Sequence, residues 1–287
     1  MNTKKFAYRL LSAMMFFLIA AFVTSCNEDD TQVGFTDSQN VASEVSTDSF
    51  YEDAEDISST AAMAPDNALG GRSSGLDDRF CDNVKIIMMK KVATNPDTIV
   101  IDFGTSCVDP RGNFRKGKII IVFSAGRLQV GSSITTTFDN FSVNDVKIEG
   151  TRTVKLTSIN PVIHEITLES GKITWTDKTT ATRTAHHFRK WDTKGTVDRL
   201  DDEMSLLKDG TASGTNRTGK TYDMQITKDI VFKSSCFKQK TFLPVSGEKI
   251  IEIDGKSMLV NFGEGICDNL VKVTVNGVTK EVTVDRR

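Results

Sequence analysis

From about residue 80 onward the chain is written in short runs in which apolar and polar residues alternate, separated by two-residue turn signals. Val271, Val273 and Val275 alternate with polar residues, Asn276-Gly277 follows, and Val278, Val282 and Val284 resume the pattern. Both positions of such a turn need positive φ, which Asn and Gly supply, so this is the strongest short-range hairpin signal. Asp254-Gly255 likewise separates 249–253 from 256–261, and Ser170-Gly171 separates 163–169 from 172–184. Runs at 117–123, 134–143 and 146–156 add further β-branched segments. The only helix-like stretch is 197–207, which is short and acidic and reads equally well as a loop. The pattern predicts an all-β body over 79–287, an antiparallel β-meander forming a sandwich or an open curved sheet.

The body carries a sign of duplication. Residues 98–107 read TIVIDFGTSC and 257–267 read SMLVNFGEGIC, and each has an earlier cysteine upstream, Cys81 in one and Cys236 in the other. Glu149-Gly150-Thr151-Arg152-Thr153 also corresponds to 213–218, SGTNRT, so two related halves are expected, about 79–190 and 191–287. Four cysteines allow three pairings. Cys81 and Cys107 lie symmetrically about a turn near Asn95-Pro96-Asp97, which brings them within disulfide reach. Cys236 and Cys267 are less symmetric about Asp254-Gly255 and need a kink near Pro244.

The first 25 residues are of another kind. Lys4, Lys5 and Arg9 precede an almost wholly apolar run over 10–23, the layout of a secretory signal and shorter than the ~20 residues that span a bilayer. The run ends in Val23-Thr24-Ser25-Cys26, which resembles a bacterial lipobox and implies acylation of Cys26. Asn27-Glu28-Asp29-Asp30 follows at once and resembles the surface-export signal of Bacteroidota lipoproteins. The expected location is therefore the outer membrane, displayed at the cell surface, with the membrane itself as a partner through the lipid.

Charge is unevenly divided. Residues 27–78 hold thirteen acids and one base (Arg72), and the remainder from 79 onward carries a net +7. Residues 26–78 accordingly read as a disordered acidic tether on a basic body. The densest basic spot is Arg183, His186, His187, Arg189, Lys190 and Trp191, a candidate ligand patch for a glycan or an envelope protein. Nothing there matches a nucleic-acid motif. His186 and His187 would face opposite sides of a strand, so no metal site is assigned.

Two enzyme-like matches fail on context. Gly214 to Thr221, GTNRTGKT, satisfies the P-loop spacing, but no apolar strand precedes it and the residues after it alternate like a strand. Thr218-Gly219 reads instead as a hairpin turn. Gly71 to Gly75 matches G-x-S-x-G inside the acidic tether, without a strand-to-helix elbow. Asp97-Thr98-Ile99 resembles a Bacteroidota O-glycosylation pattern. A polysaccharide hydrolase would need two facing carboxylates, and Asp139, Glu149, Glu165 and Asp177 are available without anything that pairs them. No catalytic residue and no cofactor is assigned.

The stretches 102–126, 133–154, 210–227 and 262–284 together resemble a family of uncharacterised Bacteroidota lipoproteins, over nearly all of 80–285. The resemblance implies an exported, lipid-anchored β protein and brings no activity with it. The expected role is non-enzymatic binding or scaffolding in the envelope.

Overall fold

The computed structural model of the chain describes residues 33–63, 79–90, 97–125, 129–198 and 200–285. The signal, Cys26 and the G-x-S-x-G match lie outside them. Fifteen strands, from β1 (Lys85–Met89) to β15 (Val278–Thr283), form one sheet with antiparallel neighbours in chain order. The short β3 (Cys107–Val108) pairs only with β4 (Phe114–Phe123). Strands β9 (Glu203–Leu206) and β10 (Thr211–Thr215) share one slot between β8 (Thr180–Asp192) and β11 (Thr221–Lys233). Part of the stretch read as helix or loop is thus strand β9. The expected halves belong to one continuous sheet.

Asn276-Gly277 and Asp254-Gly255 make the hairpin turns expected of them, with φ of 50° and 81°, and 53° and 77°. Ser170-Gly171 does not. It is a bulge inside β7 (Val162–Thr174), and the turn into β8 comes after Trp175. A Cβ on Gly171 would stand 2.8 Å from the Tyr51 hydroxyl and 2.6 Å from the Arg183 carbonyl, so the glycine clears space for a side chain arriving from outside the sheet.

That side chain belongs to the main departure from the sequence reading. Residues 35–63, expected to be part of a disordered tether, form a 29-residue helix, α1 (Phe35–Met63), about 44 Å long. Its start is marked by the Asp37 carboxylate accepting from the Gly34 N–H at 3.4 Å, half of a capping box, which also sets an acid at the positive end of the helix dipole. Every residue from 49 to 58 is buried, which a helix lying on one side of a flat sheet cannot achieve. Contacts run to β2 (Asp97–Asp102) and β4, to β8 in the middle, and to β13 (Lys256–Glu264) and β15. The sheet therefore curls around α1.

Val41, Val45, Phe50, Ala54, Ile57 and Ala61 supply the apolar part of the helix surface and join one core cluster with the inward residues of the strands. Two disulfides close the body, Cys81–Cys107 and Cys236–Cys267. Each joins the segment before a hairpin to the segment after it: β1–β2 in the first case, β12 (Ser246–Ile253) with β13 in the second. Cys236 sits in the short α2 (Ser234–Lys238), which together with 239–245 makes up the asymmetry seen in the spacing.

Candidate functional site

Helix α1 carries seven carboxylates and no basic residue, and the described sheet side buries seven bases: Arg79, Arg111, Arg115, Arg152, Arg183, Arg189 and Lys249. They meet turn by turn. Arg183 and Lys249 hold Glu44, and Arg183 also reaches Asp48 at 3.0 Å. Arg152 bridges Glu52 and Glu55 at 3.1 and 3.3 Å, and Arg189 adds a second bond to Glu55 at 2.9 Å. Arg115 grips Asp53 with both terminal nitrogens at 2.9 Å and Asp109 through Nε at 3.2 Å. Arg79 and Arg111 take Asp56. Six of the thirteen acids of the expected tether and seven of the bases of the body thus form one buried ionic layer.

Burial and pairing pull against each other here. Burial would raise Asp48 and Glu55, yet Arg183 and Lys249 for the first, and Arg189 and Arg152 for the second, hold both below the ordinary carboxylate values. Burial wins at Glu52 and Asp56, which are raised. His187, enclosed in the same layer, is pushed down to about 3 by burial and by Arg152.

This layer dismantles the predicted ligand patch. The strand alternation of β8 points Arg183, His187 and Arg189 inward to α1, and leaves His186 and Lys190 outside. Trp191, part-buried, donates its Nε1–H to Asp202 at 2.9 Å. The six residues share a strand but not a face. The P-loop match is a hairpin turn, in which the Gly219 N–H bonds the Asn216 carbonyl at 2.9 Å, and the Asn216 amide donates to Asn40 of the helix.

The outer face holds a different site, a depression of about 520 Å³ over β8, β10, β11 and β12. Two cross-strand rows line it. One runs His186, Thr211, Gln225, Ile250, and the other Thr184, Ser213, Asp223, Glu252. The shape follows from side-chain length: Thr211 and Ser213 on β10 make a low floor, and the longer residues on the flanking strands make the walls. Phe188, exposed, stands beside His186 edge to face at 5.5 Å, and the His186 ring meets Glu165 at 3.0 Å. Asp223 and Glu252 are directly opposite each other, an arrangement of like charges that costs stability in a sheet. Neither row contains Lys or Arg.

Of the carboxylates considered from sequence, Glu149 pairs with Lys147, Glu165 with His186 and Lys155, and Asp177 with Arg217. None of those four, Asp139 included, lines the depression. Asp223 and Glu252 were missed because their pairing depends on the register of β11 with β12, which a bulge after Ile226 shifts. Among the described residues no cluster of three or more metal-ligating side chains is present, and no helix is long and apolar enough to cross a membrane. No known family, curated protein or solved structure matches the chain.

Proposed function

We propose that the chain is an exported, lipid-anchored cell-envelope protein of the Bacteroidota lipoprotein kind, and that it binds a glycan in the outer depression without acting on it chemically. The lipobox-like Val23 to Cys26 and the acidic residues after it support the anchor. The two disulfides fit an oxidising, extracytoplasmic setting. The observation that carries the binding reading is the two-row polar array. Hydroxyl, amide and carboxylate groups repeat at strand spacing, which suits the ring hydroxyls of a saccharide, and the Phe188–His186 pair offers a flat apolar edge beside them. With Asp223 and Glu252 in the wall and no Lys or Arg in either row, the favoured ligand is neutral or amino-bearing. An acidic polysaccharide is disfavoured.

A glycan array probed with residues 27–287 tests this. A fragment starting at 79 would lack α1 and so its core. Binding of neutral or amino sugars, lost in Gln225→Ala with Asp223→Ala, is the expected result; silence on those sugars, or preference for anionic ones, refutes it. A polysaccharide hydrolase is the second reading, favoured by the facing Asp223 and Glu252. Both, however, stand exposed on an open sheet face rather than across a cleft that could enclose a sugar ring. Release of reducing ends that disappears in Glu252→Gln would establish the hydrolase instead.

A further inference from the structure

The buried helix changes where the body must stand. A tether of residues 27–78 would have given a reach of about 180 Å, but the chain is already fixed in the body at Val33, which is buried. Only six residues, seven Cα–Cα steps, lie between Cys26 and Val33, a span of at most about 25 Å fully extended. The first turns of α1 are held to two hairpin ends. Asp37 meets Lys256 at 3.4 Å, Asn40 accepts from Asn216 at 2.8 Å and Thr218 at 3.2 Å, and Ser43 accepts from the Arg217 N–H at 2.7 Å. Whatever holds Cys26 therefore lies within a short distance of the β10–β11 and β12–β13 turns.

Two further features fit a bilayer at that place. Phe35 is 73% exposed on the first turn of the helix, two residues beyond the fixed Val33, although it is among the largest apolar side chains of the molecule. The cations of the turns at 216–220 and 254–256 are each matched by a carboxylate, Arg217 by Asp177, Lys220 by Asp254 and Lys256 by Asp37, so these contacts add no net charge against headgroups of either sign. An aromatic on a polar, charge-balanced surface next to a lipid attachment point is suited to the interfacial layer.

We infer that the surface formed by Phe35 and the turns at 216–220 and 254–256 faces the lipid bilayer, with Phe35 entering the headgroup layer when Cys26 is acylated. The inference rests on the lipid-anchor reading. Asp223 and Gln225 lie two and four residues along β11 from its start at the turn, so the depression stands about 7–13 Å up the strand from this face. A ligand bound there is held close to the membrane surface rather than out on a long stalk.

The test uses the acylated, full mature protein in vesicles of phosphatidylethanolamine and phosphatidylglycerol with brominated acyl chains, which quench tryptophan on contact. Phe35→Trp is compared with Val197→Trp, a fully exposed position in the β8–β9 loop. Thr182, opposite Thr215 next to the first turn, is ten residues or about 33 Å along β8 from Asp192, where that loop begins. The expected result for Phe35→Trp is a quenched, blue-shifted signal above the Trp175 and Trp191 background, while the added emission of Val197→Trp is unchanged by the vesicles. An acyl mass on the Cys26 peptide combined with no quenching in Phe35→Trp, or with equal quenching in both variants, overturns the orientation alone. Mature protein whose N-terminal peptide carries no acyl group overturns the anchor and the orientation together.

Discussion

Replacing Arg115 with Met isolates what the buried ionic layer contributes. Arg115 is almost wholly buried and is the cation for two buried carboxylates, Asp53 and Asp109, through three hydrogen bonds of 2.9, 2.9 and 3.2 Å. Burial lowers the guanidinium pKa, but Asp53 and Asp109 more than offset this and leave it raised, so it stays charged. Methionine keeps much of the volume and strands both acids. Removing one partner of a buried pair costs about 3–5 kcal/mol, whereas replacing the whole set with neutral groups is often near neutral. Arg115→Met should therefore lose about 4 kcal/mol, which lowers the urea midpoint by about 1.3 M at an m-value of ~3 kcal/mol/M. Adding Asp53→Asn and Asp109→Asn to Arg115→Met should recover at least ~1–3 kcal/mol of that loss, because the three groups act as one unit. Urea unfolding of the oxidised protein followed by far-UV circular dichroism reads all of these. A loss under about 1 kcal/mol at unchanged m, or additivity of the three substitutions, would refute the claim that this layer is a coupled element of the core.

Three further outcomes follow from the same structure. His187 is held neutral to about pH 3, so the unfolded chain takes up its proton first as pH falls from 6.5; stability is full above that value and declines below it. His187→Gln should remove close to one proton, about 1.4 kcal/mol per pH unit, from the pH slope of unfolding between pH 6 and pH 4, and an unchanged slope would contradict this. Cys236→Ser with Cys267→Ser opens a 31-residue loop and should cost about 3.7 kcal/mol in the chain-entropy model, measured as a fall in the thermal midpoint. At Gly117, with φ of +81°, a Cβ would lie 2.2 Å from the Asn140 carbonyl oxygen; Gly117→Ala should destabilise the bulge between β4 and β5 (Ser133–Val143) by over ~2 kcal/mol, and a neutral effect in urea unfolding would count against that strain.

The sheet was legible because its turns are local. Asn276-Gly277 and Asp254-Gly255 carry their conformational requirement in two residues, and the strands beside them alternate. Ser170-Gly171 carries the same glycine after a small polar residue and misled, since that glycine answers to Tyr51, more than a hundred residues away. The helix was hidden by its polarity. Its sequence shows apolar residues at 50, 54, 57 and 61 and acids at 44, 48, 52 and 55, both close to a helical period, but seven carboxylates without a base resemble a solvated segment. The matching signal was in β8, whose inward positions 181 to 189 read Ala, Arg, Ala, His, Arg. A cationic inner face becomes intelligible only beside an anionic element to fill it. The depression depended on register, which composition does not reveal.

Because α1 is made first and its partners reach as far as Lys249 and Lys256, sequence separations of 205 and 219 residues stand between its carboxylates and their cations. Most of the polypeptide must therefore be present before the centre of the molecule can assemble, and so many distant contacts make assembly slow. A chain with that order of events should stay an open thread through most of its synthesis and set into shape only once its last strands are available.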